Sequence, residues 1–215
     1  DNNRYYSKIK YLSGGWTTVG ALSTVECHNA YASKSFTGED VYCNNSVYVL
    51  ASKDIVYISK AEDLLAMNGN RHYVLTNDID LSGMEWHGGA FSGFLDGNGY
   101  SIKGMSFVGS VTNETAYLGL FKTGTGIVND LHFEEVTFIV DLVSTTGATY
   151  YMYAGALIAD ASGGLIVTDC SVDKYSVIDL KNEASYIYGG GLVGRVQASM
   201  RRPVVFDSCT NAGKI

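Results

Sequence analysis

Paired carboxylates, histidines, cysteines and clustered tyrosines are the groups in this chain whose types and spacing invite chemistry. Glycoside hydrolysis needs an acid and a base flanking one bond. A uronate lyase needs acids that hold a metal, or a basic residue to take a proton. Asp78 and Asp80 share one strand face, Asp96 occupies a Gly-rich turn, and Arg195, Arg201 and Arg202 could neutralise a uronate. No repeated basic ladder faces these acids. Outward alternation accounts for the first pair and a side-chain-to-backbone turn bond for Asp96, so the acids read as structural. The four histidines, His28, His72, His87 and His132, stand singly, with no His-Glu-x-x-His and no Cys-x-x-Cys. Neither a zinc peptidase nor a metal site is expected, and no cofactor is implied. Trp86-His87-Gly88-Gly89 reads as a loop, and His132 as a solvated coil residue.

Tyrosine is the conspicuous reagent, with 16 copies. Tyr151 and Tyr186 hold equivalent places in two repeated units, as do Tyr153 and Tyr188, with Met152 and Ile187 between them. If Met152 and Ile187 enter the core, alternation sends both tyrosine pairs outward. Two readings stay open: a stabilising aromatic ladder, or a rigid amphipathic surface for a glycan or protein.

Those tyrosines belong to a repeat. Met105, Leu131, Cys170 and Cys209 form one column, at steps of 26, 39 and 39 residues. Gly93-Phe94-Leu95, Gly119-Leu120-Phe121, Ala156-Leu157-Ile158 and Gly191-Leu192-Val193 form a second, at steps of 26, 37 and 35. Two columns advancing together mark one unit repeated about four times. Each unit is a short strand, a Gly/Asp/Asn/Ser corner and a second strand, with no helical stripe between. Strands in equal register without helices stack as a parallel β-helix rather than a sandwich. The excess residues in two units, Ile139–Leu142 with Thr149–Tyr153 and Val177–Leu180 with Ser185–Tyr188, make a longer coil face or a protruding hairpin. Cys170 and Cys209 fall one coil apart and are expected as buried thiols. Cys27 and Cys43, 16 apart, could form a bridge or stay free.

The rest of the composition agrees. The 215 residues include 25 Gly and a single Pro, and Gly, Asn and Asp must therefore make the corners. A net charge of −7, with one adjacent basic pair, argues against nucleic acid, and no stretch is long and apolar enough for a membrane helix. The chain begins without Met and shows no signal peptide, so it reads as a mature or excised piece. Ser59–Met67 is the one convincing helix, with Ser59 and Glu62 at capping-box spacing and Asn68-Gly69 as a stop, placed to plug the apolar end. Residues 1–54 show no repeat and read as an irregular β-rich segment or cap. The last coil, ending Asn211-Ala-Gly-Lys-Ile215, exposes a strand edge that further coils or another subunit would cover.

Three stretches carry a family resemblance: Ile58-Ser-Lys-Ala-Glu-Asp-Leu-Leu65, Tyr73-Val-Leu-Thr-Asn-Asp-Ile-Asp-Leu81 and Phe91-Ser-Gly-Phe-Leu-Asp-Gly-Asn-Gly-Tyr-Ser-Ile102. With Gly190-Gly-Leu-Val-Gly194 and Asp207-Ser-Cys-Thr-Asn-Ala-Gly-Lys-Ile215 they resemble the bacterial GLUG-motif β-helix domains. Gly119-Leu-Phe-Lys122 and Ala156-Leu-Ile-Ala159 lack that motif's closing glycine. The resemblance covers 55–215 and implies a place in large secreted or wall-anchored proteins, among them adhesin-like proteins and non-catalytic regions of immunoglobulin A peptidases. The expectation is an all-β, right-handed parallel β-helix with a short N-terminal capping helix. It would act without catalysis as an extracellular or cell-surface binding or scaffold module for host glycan or protein, through Tyr151, Tyr153, Tyr186 and Tyr188. The alternatives are an accessory domain of a larger secreted peptidase or, behind it, a polysaccharide lyase or glycosidase.

Overall fold

The computed structural model describes residues 55–215 except 68, 69, 87, 113, 114, 144–149, 183–185 and 201. Of residues 1–54 it describes the backbone of six short strands. These are β1 (Ile9–Tyr11), β2 (Gly15–Thr17), β3 (Thr24–His28), β4 (Ser33–Thr37), β5 (Asp40–Cys43) and β6 (Val47–Leu50), paired consecutively as three antiparallel hairpins. The side chains of Cys27, Cys43 and His28 lie outside the described residues, as does His87.

From Ile55 onward every paired strand runs parallel to its neighbours. The stack opens with β7 (Ile55–Ile58), the helix α1 (Ala61–Leu65), β8 (Asn70–Leu75) and β9 (Ile79–Asp80). Three complete coils follow. The first holds β10 (Ala90–Asp96), β11 (Ser101–Lys103), β12 (Ser106–Val111) and β13 (Thr115–Leu118). The second holds β14 (Phe121–Asn129), β15 (His132–Glu134), β16 (Thr137–Leu142) and β17 (Tyr151–Ala154). The third holds β18 (Ile158–Thr168), β19 (Ser171–Val172), β20 (Val177–Asn182) and β21 (Tyr186–Gly189), and β22 (Val193–Gln197), β23 (Val205–Asp207) and β24 (Thr210–Asn211) begin another. Like strands stack into four sheets. Sheet 1 runs β7-β8-β10-β14-β18, with β22 and β23 both on β18; sheet 2 runs β9-β11-β15-β19-β24; sheet 3 is β12-β16-β20 and sheet 4 is β13-β17-β21. The chain is a parallel β-helix, and its extra residues build the third and fourth faces of a coil rather than a hairpin.

The core is the inward column of each sheet. Leu95, Val128 and Val167 share one column, Ile102, Phe133 and Val172 another, and all are buried. Leu131 and Cys170 stack at the corner between sheets 1 and 2, with Cys209 half-buried below them; both of these thiols are free. The corner needs a left-handed residue in each coil, supplied by Asn98, Asp130, Asp169 and Ser208 at φ 50–53°. Asn and Asp take that conformation at small cost because their short side chains bond locally. Before the corner runs a polar column: Asn129 Nδ2 donates to Asp96 Oδ1 (3.3 Å) and Thr168 Oγ1 to Asn129 Oδ1 (2.8 Å).

Two expectations are corrected here. Met105 does not share the Leu131 column: Leu95 sits opposite Val128 and Ile102 opposite Phe133, steps of 33 and 31 residues, so Met105 falls with Val136 and Ser176. Likewise Gly93-Phe94-Leu95 pairs with Gly126-Ile127-Val128, not with Gly119-Leu120-Phe121. The Asp96–Tyr100 corner is two residues longer than its successors, and apolar alternation looks alike after a slip. Gly97 must be glycine because a Cβ there would enter Leu131 and the Asp130 carbonyl. The other correction concerns α1. Lys60 is the N-cap and makes no side-chain cap; Asp63 rather than Glu62 reaches back, accepting from the Ser59 amide (2.8 Å) and hydroxyl (3.0 Å). Ala61 and Leu64 face the core, so the short helix still plugs its upper end.

Candidate functional site

Sheet 4 places the tyrosines. Ala116 and Met152 point inward and are buried, so Thr115 and Tyr117, Tyr151 and Tyr153, and Tyr186 and Tyr188 point outward in three successive coils. Parallel register puts like above like. Tyr117, Tyr153 and Tyr188 stack at centroid separations of 5.2 Å, and Tyr151 and Tyr186 at 5.4 Å. Within one strand Tyr151 and Tyr153 lie 6.2 Å apart with planes only 4° apart. Ring faces are therefore turned along the stack toward the next coil, and the outer surface presents ring edges and phenol hydroxyls. The run breaks above Tyr151, where Thr115 stands in place of a ring.

The face is uneven. Tyr186 is 57% exposed and Tyr117 36%, Tyr151 and Tyr188 are half-buried, and Tyr153 is only 4% exposed. What covers Tyr153 is Arg195 from the adjoining sheet 1, its guanidinium 4.3 Å from the Tyr153 centroid and 5.5 Å from that of Tyr188. Outward side chains of two adjacent sheets thus meet at a re-entrant corner. The turns there are tight: a Cβ on Gly119 would strike the Gly155 carbonyl. Arg195 is held bidentately by Asp160, one coil above it in register, through Nε–Oδ1 (2.8 Å) and Nη2–Oδ2 (2.6 Å), and Gln197 adds two contacts of 3.1 Å. The Asp160 hydrogen bonds hold the Arg195 pKa well above its usual range, while burial raises that of the Tyr153 phenol. This arrangement fixes the rings, neutralises the guanidinium stacked on Tyr153 and offers hydroxyl donors and acceptors.

The remaining candidates do not gather. Asp78 accepts the Ser101 amide (2.9 Å) and pairs with Lys103 (2.9 Å), which also meets Glu134 (3.2 Å); the Lys103 bond, and then the Ser101 amide, lower the Asp78 pKa. Asp80 caps the Ser82 amide (2.8 Å), and Asp96 accepts the Asn98 amide (2.9 Å), the turn bond expected of it. His132 is half-buried, with Nδ1 2.8 Å from the Ser171 hydroxyl and Nε2 3.6 Å from Asp130. Among the described residues no three His, Cys, Asp or Glu side chains converge as a metal site would require, and no helix is long and apolar enough to cross a membrane. Tyr117 is legible in the Thr115-Ala-Tyr-Leu118 pattern, which repeats that of Tyr151–Ala154; Arg195, a candidate for neutralising a uronate, is instead taken up by Asp160, a partner that no local pattern signals. The chain matches no family model, no curated protein and no solved structure.

Proposed function

We propose that this β-helix is a non-catalytic binding or scaffold module, adhesin-like and displayed outside the cell, of the GLUG-motif kind. Its ligand is a host glycan or protein. The observation that carries the reading is the outward tyrosine array, locked from the side by the Asp160–Arg195 pair. Ordering a binding surface in advance removes the entropic cost of fixing long side chains on contact. A sugar or extended chain would meet ring edges and hydroxyls along the array. It would meet open ring faces at its ends and above Tyr151. The last coil, ending Asn211-Ala-Gly-Lys-Ile215, is in the same reading covered by further coils or another subunit.

The test is a glycan array with the full chain, followed by Tyr117→Ser and Tyr186→Ser. These two exposed rings contribute least to the core, so affinity for the captured glycan should fall at least about tenfold with the melting temperature nearly unchanged. Equal binding by both variants would remove the tyrosine face from consideration. Release of reducing sugar from that same glycan would instead favour a lyase or glycosidase.

A further inference from the structure

The corner between sheets 1 and 2 stacks one cysteine on another, and register fixes it from both sides. Val167 and Thr168 pair with Phe206 and Asp207, and Ser171 and Val172 with Thr210 and Asn211. The corner residues Asp169 and Ser208 share one left-handed conformation, φ 53° in each, so the two coils turn alike. Cys170 therefore lies directly above Cys209. Adjacent strands run about 4.8 Å apart, inside the range of roughly 4.4–6.8 Å between Cα atoms that a disulfide spans. The two thiols are hydrogen-bonded to each other. Each also meets main-chain carbonyls: Cys170 Sγ lies 3.2 Å from that of Thr168, and Cys209 Sγ 3.4 Å from those of Val167 and Asp207.

The two sulfurs are unequal. Cys170 is buried, whereas Cys209 is half-buried, in the short stretch between β23 and β24. The Cys170 thiol beside it brings the Cys209 pKa down to about 7, and the same bond, with burial, pushes Cys170 up. Near neutral pH a reachable thiolate thus faces a buried thiol, as an attacking cysteine faces its resolving partner. We infer that Cys209 and Cys170 form a peroxide-reactive pair that closes into a disulfide, stapling the lowest described coil to the one above. The Cys209 thiolate attacks one peroxide oxygen, the O–O bond breaks and hydroxide leaves, giving a sulfenic acid. The Cys170 sulfur then attacks the Cys209 sulfur and expels that oxygen, which departs as water with the Cys170 proton. The first hydroxide takes up the proton that Cys209 gave on ionising. Two thiols and one hydrogen peroxide thereby yield one disulfide and two waters.

The full chain, first reduced, is exposed to equimolar hydrogen peroxide with dimedone present to trap sulfenic acid, and is mapped by peptide mass spectrometry. Wild type should yield a cross-linked Cys170–Cys209 peptide. Cys170→Ala should instead yield dimedone-labelled Cys209, because nothing resolves the acid. In Cys209→Ala, Cys170 should oxidise at least about tenfold more slowly than Cys209 does in wild type, as a buried thiol would. The Thr210 and Ala212 amides, bonded to the Cys170 and Val172 carbonyls, should exchange at least about tenfold more slowly in the oxidised wild type than in the reduced. A bond from Cys209 to Cys27, to Cys43 or to a second chain would overturn the inference. So would a pair that stays reduced in wild type, or Thr210 and Ala212 exchange that the bond leaves unchanged. If circular dichroism shows that Cys170→Ala does not fold, the wild-type map and its exchange decide alone.

Discussion

Two buried ionisable side chains give this protein opposing responses to acid. Burial raises the Asp96 pKa from 3.8 to about 6, with the charge of Asp130 adding to the effect and the Asn98 and Asn129 hydrogen bonds opposing it. Its protonated form suits the fold, so the stability it contributes is complete below about pH 4 and is lost as pH rises through 6. Burial lowers the His72 pKa from 6.5 to about 4, where the ring packs edge-on against Phe94 with centroids 4.5 Å apart. Its neutral form suits the fold, so that contribution is complete above 6.5 and is lost as pH falls through 4. Each shift corresponds to about 3 kcal/mol, and between pH 4 and 6.5 the two offset each other. Denaturant titrations should show wild type nearly flat across this window. Asp96→Asn should become more stable as pH rises from 4 to 6.5, and His72→Phe less stable over the same range. Identical slopes in all three would show that neither group titrates as its burial implies.

At the level of strands and corners, the column alignment is the feature to test. Leu131 is fully buried between Gly97 above and Cys170 below. Leu131→Asp puts an unpaired carboxylate into that column and should cost more than about 4 kcal/mol, enough to abolish a cooperative melt. Val108→Asp, at an exposed edge position, should change the melt little. This contrast also marks what could be read without coordinates. The later units aligned correctly because Val167-Thr-Asp-Cys170 and Phe206-Asp-Ser-Cys209 keep an identical 39-residue step, confirmed by the pairing of Val167 with Phe206. The first unit is harder to place: a glycine before two apolar residues recurs at Gly119–Phe121, seven residues short of Gly126–Val128, the true partner of Gly93–Leu95, and apolar alternation does not distinguish the two. The tyrosine pairs were legible because side chains two apart on a strand share a face. The Asp160–Arg195 clamp was not, since its partners are 35 residues apart and meet only through coil stacking.

For the molecule as a whole, stability passes from coil to coil, because each coil meets only the ones above and below it. Among the described residues the lowest strands are β24 in sheet 2 and β21 in sheet 4. Thr210 and Ala212 amides bond upward to Cys170 and Val172, and Tyr186 and Gly190 amides to Tyr150 and Ala154. The Asn211 and Ile187 amides between them point down. In a strictly monomeric sample these two should exchange freely while Thr210 and Ala212 stay protected, and association should slow them. Protection of Asn211 and Ile187 in the monomer would contradict a free lower edge.

The stacking order also decides how the molecule carries load. The hydrogen bonds between coils lie along the stack axis, and β7 and β24 stand at opposite ends of it. A pull applied across those ends would draw on one layer of bonds at a time, peeling coils in sequence from a free end. Each coil of the 39-residue step would pay out roughly 130 Å of extended chain. A module of this kind lengthens in discrete steps under tension and re-forms layer by layer when the tension drops, whatever it holds at its side.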